Sequence, residues 1–210
     1  MPGPRSVIVF DLDGTLVDSI PDILTSFIAA FGLVGLAAPP LESARARVGA
    51  PLEEMYAAFA PPERVVELAA AYRVHYPQHY RDNSRPFPGV PALLAELAAR
   101  GFGRAVATTK RTKMARSFVE HMGLSRSLDH VQGTDDFPHK PAPDVIFRAL
   151  AALGGAGAWM VGDSPSDITA GRAAGLKTYA VTWGAYGADD LAAAGPDALE
   201  PDLDRLVDLV

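Results

Sequence analysis

Two aspartates near the start of the chain, Asp11 and Asp13, have the residue type and spacing to bind a cation or to exchange a proton. They follow the apolar run of residues 7–10, which is too short for a helix and has the pattern of a buried strand. Like charges this close repel, so each carboxylate needs a cation or a proton. Gly14 lets the chain turn with its backbone close to a ligand. An Asp-Gly turn between two strands is the simpler explanation, but residues 16–31 have a helical pattern, so no partner strand is expected.

Polar residues also follow three later segments that have the pattern of strands. In an open α/β sheet, ligands bind beyond the carboxyl ends of the strands, so these residues should meet in one crevice. Each has an ordinary structural explanation when taken alone: Thr108 as a strand residue, Lys140 as a solvated lysine, and Ser166 or Asp167 as a helix cap. If these explanations were independent, there would be no reason for all of these polar residues to follow predicted strands. The residues are Thr108, Thr109 and Lys110, then residues 134–140, and then Gly162, Asp163, Ser164 and Asp167.

Taken together, these segments resemble the motif set of the haloacid dehalogenase-like hydrolase superfamily, in its phosphatase form. The sequence contains DLDGT from residue 11, a threonine hydroxyl after a strand, HKPAPD from residue 139 and GDSPSD from residue 162. The dehalogenases themselves match poorly, because residue 13 would then not be an acid. The resemblance implies that Asp11 attacks phosphorus, that Asp13 gives a proton to the leaving alkoxide and later takes one from water, and that the Asp13 carbonyl is a metal ligand.

Phosphoryl transfer needs positioning and charge neutralisation more than covalent work by the protein, so a divalent ion and fixed donors are expected. Hard oxygen ligands without His or Cys favour Mg²⁺ over Zn²⁺. Asp11 and Asp163 are predicted ligands, and Asp167 is a predicted ligand or a support for one. A carboxylate with a reference pKa of ~3.9 is ionised near pH 7, so Asp11 needs no base to activate it. Lys140 is expected to offset the negative charge, and Thr108 to hold the phosphoryl oxygens together with backbone N–H groups.

The pattern of elements predicts one α/β domain interrupted by helices. No strand pattern occurs from residue 18 to about residue 84, and strands and helices alternate after that, which implies a parallel, doubly wound sheet. We therefore predict a Rossmann-like core of residues 1–17 and 85–210 with an inserted α-helical cap of residues 18–84, where superfamily members also place a cap. The predicted helices are 20–31, 41–48, 52–59, 63–76, 90–100, 113–122, 143–153, 167–174, 189–194 and 203–210, and the later strands are 104–108, 130–133, 158–161 and 178–182.

The composition limits the class of protein. With 210 residues, 49% hydrophobic and 21% charged, the chain can bury a sizeable core. It has no cysteine, which excludes disulfides, thiolate metal sites and thiol nucleophiles. The net charge of −6, without a Lys/Arg cluster, argues against nucleic-acid binding. No signal-like start or membrane span is evident. We expect a cytoplasmic monomer or homodimer that acts on a small phosphorylated metabolite.

The helical insertion is expected to select the leaving group of the substrate. Arg45 and Arg47 could present a cation to an acidic group, although a solvated helix face explains either arginine at least as well. At the core, Gly14, Thr109 and Lys110 are further candidate substrate contacts. By resemblance, the RVG and PLEE segments are similar to the cap of phosphoglycolate phosphatase-like members, which implies a substrate such as 2-phosphoglycolate.

Other functions fit the same motifs. A phosphomutase of the β-phosphoglucomutase type would differ in the cap, and a pyrophosphatase or nucleotidase would differ in substrate alone. A non-catalytic binding module would be expected to lack one of the acids or Lys140, and all are present. His75 and His79 have the spacing of two metal ligands on a helix, but Pro77 is expected to bend or end that helix, so we interpret them as a surface or hinge pair.

Overall fold

The computed structural model describes residues 5–210, and its main element is a six-stranded parallel sheet. The strands are β1 (Ser6–Phe10), β2 (Val17–Asp18), β3 (Arg85–Pro86), β4 (Gly103–Ala107), β5 (His130–Gln132), β6 (Ala156–Gly162), β7 (Lys177–Val181) and β8 (Ala198–Glu200). The helices are α1 (Ile20–Leu33), α2 (Leu41–Arg45), α3 (Leu52–Ala57), α4 (Pro62–His79), α5 (Val90–Ala99), α6 (Thr112–His121), α7 (Asp144–Leu153), α8 (Pro165–Ala173), α9 (Ala188–Ala194) and α10 (Leu206–Leu209).

Strand β1 lies near the centre of the sheet, whose strand order is β5-β4-β1-β6-β7-β8. Its side chains alternate between the two faces, and both faces are covered by helices. Val7 and Val9 pack into a cluster with residues of α7 and α8, whereas Ile8 and Phe10 pack into the larger cluster with residues of α1, α5 and α6. All four are fully buried. This burial on both faces explains the continuous apolar run, and the predicted doubly wound fold is confirmed.

Helices α1 to α4 form a helical block inserted into the α/β domain. The chain leaves the sheet after β1 to form this block and returns to the sheet domain before α5. The two connecting segments pair as an antiparallel ladder, with Val17 opposite Pro86 and Asp18 opposite Arg85. The sequence predicts a helical pattern from residue 16 onward, with no strand in this segment. That prediction was wrong for residues 17–18, which form β2, and the helix begins at Ile20. A two-residue ladder is too short to leave a periodic pattern in the sequence. The boundaries of the core and cap domains stay a prediction.

Helix α2 ends at Arg45 rather than at the predicted Val48. The N–H groups of Arg47 and Val48 donate to carbonyls three residues back, at 3.1 and 3.0 Å. The chain therefore continues in tight turns after the helix, a common way for a helix to end.

Helix α4 continues through Pro77 to His79, so this proline does not end the helix at residue 76 as predicted, and a bend there stays a prediction. Less than one turn follows the proline. Tyr76 and Tyr80 flank it and are both buried, so tertiary packing holds the end of the helix despite the missing N–H donor.

Strand β8 was not predicted, and α10 begins at Leu206 rather than Leu203. The three residues of β8 pair with β7 at the edge of the sheet, and Ala-Leu-Glu has neither an alternating nor a β-branched pattern. The Leu206 N–H donates to the Leu203 carbonyl at 3.1 Å, which makes a turn before the short helix. Across residues 5–210, none of the helices combines the length and the apolar character needed to span a membrane.

Candidate active site

Three buried aspartates converge beyond the ends of β1 and β6. Asp11 follows β1, Asp163 follows β6, and Asp167 lies in the first turn of α8. They are 8%, 3% and 1% exposed, and one carboxylate oxygen from each lies within 4.8 Å of the others. The neighbouring ends of parallel strands produce this meeting, as the sequence pattern predicted.

Lys140 bridges two of these acids. Its Nζ lies 2.6 Å from Asp11 Oδ1 and 2.5 Å from Asp167 Oδ1, and it also donates to the Ala107 carbonyl at 3.1 Å. Burial by itself lowers the pKa of Lys140, but the two carboxylates outweigh burial and raise it above its ordinary value. Lys140 is therefore a fixed ammonium group inside the acidic cluster.

Asp163 is held by contacts that leave little freedom to its carboxylate. The Thr15 hydroxyl donates to Oδ1 at 3.0 Å, and the Ala185 N–H donates to Oδ2 at 2.8 Å. A Cβ on Gly14 would lie 2.3 Å from Oδ2, and a Cβ on Gly184 would lie 2.1 Å from it. The Gly14 N–H donates to the Val17 carbonyl, so the structure gives Gly14 the role of making room rather than donating to a substrate.

Asp167 is fixed by the start of α8. Ser164 is the N-cap residue, rather than Ser166 or Asp167 as the sequence suggested, and it forms a capping box with Asp167. Asp167 Oδ2 accepts the Ser164 N–H and hydroxyl at 3.1 and 2.6 Å, while Oδ1 faces Lys140. The same residue thus starts the helix and completes the acidic cluster.

The electrostatics of the cluster favour a divalent cation. Three carboxylates and one ammonium group leave a formal excess of two negative charges. Burial, followed by Asp167 and Asp13, raises the pKa of Asp11 to about 7, even though Lys140 lowers it. Burial and the charges of Asp11 and Asp167 raise the pKa of Asp163 well above its ordinary value. A cation would offset this excess of negative charge, and hard carboxylate oxygens match the ligands that Mg²⁺ prefers, so the residues fit such an ion.

Asp13 lies outside this cluster with its own partners. Its Oδ2 is 2.6 Å from Lys110 Nζ, and its Oδ1 accepts the Ser19 hydroxyl. Thr108 is buried, and its Oγ1 accepts the Lys110 N–H at 3.3 Å, so it shapes the loop that carries Lys110. Asp13 is therefore positioned as a separate carboxylate beside the nucleophile candidate.

A cavity of about 540 Å³ opens over these residues. It is lined from the strand ends by Asp11, Asp13, Thr109, Lys110, Lys140 and Asp163. It is lined from the helices by residues that include Leu52, Met55, Tyr72, Tyr76 and Met114. The acids thus share one concave space with a largely apolar surface, an arrangement typical of small-molecule sites.

The family model for Haloacid dehalogenase-like hydrolase matches residues 8–181, a range that contains every acid and lysine described above. The chain belongs to the haloacid dehalogenase-like hydrolase family. It is 32% identical over 208 residues to Pyrophosphatase PpaX from Halalkalibacterium halodurans, covering 98% of this chain and 96% of that protein. It is 35% identical over 190 residues to a phosphoglycolate phosphatase from Mesorhizobium japonicum, covering 86% and 84%.

A solved structure has the same fold over nearly the full length. A haloacid dehalogenase-like family hydrolase from Streptococcus pneumoniae superposes with a TM-score of 0.91 at 30% identity, covering 98% of this chain and 99% of that one. These relatives identify the chain as a phosphatase of the haloacid dehalogenase-like family, as predicted. The names of the two sequence relatives differ in substrate, so they do not select one.

In this haloacid dehalogenase-like hydrolase, the structure does not place the two predicted arginines on the wall of the cavity. Neither Arg45 nor Arg47 is among the described residues that line it, and Arg45 donates to the Gly184 carbonyl at 3.2 Å. The side chain of Arg73 lines the cavity instead, paired with Glu53. A contact between either predicted arginine and substrate stays a prediction that this arrangement does not favour.

The histidine pair has local partners. The rings of His75 and His79 are stacked with centroids 4.1 Å apart, and their Nδ1 atoms face Ser26 Oγ and an Asp82 oxygen at 3.0 and 2.9 Å. Within residues 5–210, the only group of three or more acidic or histidine residues with metal-binding spacing is the aspartate cluster.

Sequence reasoning missed the residues that hold the acids in place. Thr15, Ser19 and the Ala185 N–H each contact one of the predicted aspartates. Thr15 lies within the DLDGT segment, so its place next to the acids was a usable signal. Ser19 ends the DLDGTLVDS segment that starts at Asp11, so it carried the same signal. Ala185 carries no such signal, because its contact depends on the path of a loop.

Proposed function

We propose that this chain is a Mg²⁺-dependent phosphatase that hydrolyses a small phosphate monoester through an aspartyl-phosphate on Asp11. The observation that carries the proposal is the cluster of Asp11, Asp163 and Asp167 around Lys140, with Asp13 beside it, at the base of one cavity. Asp11, Asp163 and the Asp13 carbonyl would hold the ion, which when bound would neutralise the carboxylates and the phosphoryl oxygens. Asp167 would support them.

The reaction has two chemical steps, the formation of the aspartyl-phosphate and its hydrolysis, and Asp11 and Asp13 act in both. Asp11 forms a bond to phosphorus as the bond to the leaving oxygen breaks, and Asp13 donates a proton to that oxygen. Asp13 then takes a proton from the water that attacks the aspartyl-phosphate, which releases phosphate and restores Asp11. Lys110 pairs with Asp13 in the structure, and a bound phosphoryl group would compete with Asp13 for the same ammonium group.

The alternatives share this chemistry. A pyrophosphatase uses the same core, and one relative carries that name. A phosphomutase would form the same aspartyl-phosphate but return the phosphoryl group to a sugar phosphate. Release of free phosphate separates hydrolysis from isomerisation, so it is the decisive readout.

The test is phosphate release from 2-phosphoglycolate, sugar phosphates, nucleotides, pyrophosphate and an aryl phosphate, with Mg²⁺ or EDTA. The Asp11→Asn variant should lose at least ~10³-fold in kcat/KM, because it removes the nucleophile. Circular dichroism and melting should show a folded protein. Asp190→Asn, at an exposed carboxylate of α9, is the control and should retain full activity. Substantial turnover by Asp11→Asn, or in EDTA, would refute the proposal, and isomerisation without phosphate release would identify a mutase.

A further inference from the structure

The cavity beside the acids is larger than a small acid phosphate needs. Its volume of about 540 Å³ lies in the range of ~300–1,000 Å³ found for drug-sized ligands. At ~30 Å³ per molecule, this space corresponds to roughly 18 waters. A phosphoryl group carrying glycolate would fill only a small part of this space.

One wall of the cavity is aromatic. The rings of Tyr72 and Tyr76 both line it and are stacked on each other, with centroids 5.0 Å apart and planes inclined by 12°. Leu52 and Met55 line the cavity as well. Such surfaces favour a flat apolar group, because aromatic burial releases much apolar area from water and rings also gain from stacking.

The aromatic wall lies next to the reacting groups. Lys110 Nζ is 5.0 Å from the centroid of the Tyr76 ring and 2.6 Å from Asp13 Oδ2. One lysine therefore touches both the aromatic wall and the proposed proton donor. A substrate with its phosphoryl group at Asp11 can place its leaving group against Tyr76.

Two residues that line the cavity each have a buried polar side-chain atom without a partner in the protein. Of the side-chain nitrogen and oxygen atoms in residues 5–210, three are buried without a hydrogen bond, and Tyr76 Oη and His139 Nδ1 belong to residues that line the cavity. Tyr76 is only 4% exposed. Buried polar atoms are nearly always hydrogen-bonded, so an unpartnered pair in a ligand cavity indicates polar groups on the ligand.

We infer that the substrate is a phosphate monoester whose leaving group carries an aromatic ring with a polar substituent. The inference rests on the proposed phosphatase function and names its substrate class. The ring lies against this stacked pair mainly at Tyr72, which is half-buried where Tyr76 is buried, and the substituent hydrogen-bonds to the Tyr76 hydroxyl. This class differs from the 2-phosphoglycolate expected by resemblance.

The first experiment compares phenethyl phosphate with ethyl phosphate, which have similar leaving alkoxides and differ in the ring. The wild-type enzyme should show a kcat/KM at least ~10-fold higher for phenethyl phosphate, because the ring is removed from water. Equal values, or a preference for 2-phosphoglycolate, would overturn the inference while leaving the phosphatase function intact. A preference for a nucleoside monophosphate over ribose phosphate supports the inference and identifies the ring as a nucleobase.

The second experiment tests the Tyr76 hydroxyl. Hydroxyphenethyl phosphate should be preferred over phenethyl phosphate by the wild type, and Tyr76→Phe should reduce that preference by ~5-fold or more. Tyr80→Phe is the matched control, since Tyr80 is also buried at the end of α4 but its hydroxyl faces Ser117 at 3.4 Å. An unchanged preference in Tyr76→Phe would contradict the inferred contact.

A binding measurement distinguishes a failure of the inferred substrate class from a failure of the proposed phosphatase function. Calorimetric titration of Asp11→Asn with phenethyl and ethyl phosphate needs no turnover. Tighter binding of phenethyl phosphate by ~10-fold supports the inferred class even if the proposed chemistry fails. Equal affinity overturns it regardless of any phosphatase activity.

Discussion

The backbone around Asp163 approaches its carboxylate so closely that two neighbouring positions have no room for a side chain. Gly14 has φ +79°, and a Cβ there would lie 2.3 Å from Asp163 Oδ2. The carboxylate cannot easily move aside, because Thr15 and the Ala185 N–H hold both of its oxygens. Glycine at position 14 therefore serves the geometry of a proposed metal ligand as well as the turn itself.

Gly14→Ala should destabilise the protein by about 2 kcal/mol or more and should weaken Mg²⁺ binding. The left-handed conformation costs an alanine about 1–2 kcal/mol, and displacement of Asp163 adds to that cost. Gly35→Ala is the matched control: Gly35 has φ +72°, and a Cβ there would meet no atom within 4 Å, so the variant should carry only the conformational cost. Chemical denaturation and Mg²⁺ titration measure the two effects. Equal losses in both variants would show that contact with Asp163 is unimportant.

The aspartates and Lys140 could be predicted because each follows a strand, and strand ends of a parallel sheet share an edge. The contacts that hold these aspartates in place could not be predicted from the sequence. Ser19 reaches Asp13 through the local turn in which the Gly14 N–H donates to the Val17 carbonyl, and Ala185 reaches Asp163 through the loop after β7. Arg45 is a candidate substrate contact by sequence, yet its guanidinium donates to the Gly184 carbonyl, since the tertiary path of a loop decides which partner this half-buried arginine finds.

Helix α1 is tied to the segment that returns from the helical block through Asp22. This buried carboxylate accepts hydrogen bonds from the N–H groups of Asn83 and Ser84, from Asn83 Nδ2 and from the Ser84 hydroxyl. Burial acts to raise the pKa of Asp22, but these hydrogen bonds outweigh it and hold the pKa below its ordinary value. The charged form of Asp22 therefore stabilises the junction between the block and the sheet.

Asp22→Asn should lower the free energy of unfolding by about 1–3 kcal/mol at neutral pH. Because the folded pKa lies below the unfolded value of ~3.9, the stabilisation is complete above the unfolded pKa and is lost as pH falls through the folded pKa. The difference between wild type and variant should therefore shrink in acid. Urea denaturation across this range measures it, with Asp190→Asn as a control that follows the wild type. A difference that grows towards low pH would contradict the assignment.

Long elements with a strong period were predictable, and short or packing-dependent ones were not. Strand β1 is buried on both faces, so its apolar run is unambiguous. Strand β8 has three residues at an edge, where pairing with β7 alone defines it. The end of α4 follows the burial of Tyr76 and Tyr80 rather than the proline rule, because tertiary contacts can outweigh local propensity.

The whole molecule concentrates unfavourable charge at one place. Its net charge is −6, and three of its acids are buried together against a single lysine. Repulsion in this cluster opposes folding until protons or a cation neutralise it. Metal binding and folding are therefore coupled in the proposed enzyme.

Mg²⁺ should raise the melting temperature. At ~100 times its Kd, a ligand specific for the folded state adds ~2.7 kcal/mol, which for a chain of this size corresponds to roughly 5–10 °C. The increase should disappear on addition of EDTA and in Asp163→Asn, and should persist in Asp190→Asn. Thermal denaturation followed by circular dichroism measures it. The same increase in Asp163→Asn would show that Mg²⁺ binds elsewhere.

The position of β1 between β4 and β6 also governs when the active site can exist during synthesis. Asp11 is translated well before its neighbouring strands, since β4 begins at Gly103 and β6 at Ala156. Pairings between such distant segments form late, because a long loop must first be closed. Asp163 and Asp167 follow β6, so a nascent chain that stops before Ala156 carries the nucleophile without its acidic partners. The growing polypeptide therefore gains its complete acidic cluster only after β6 and the start of α8 have been translated.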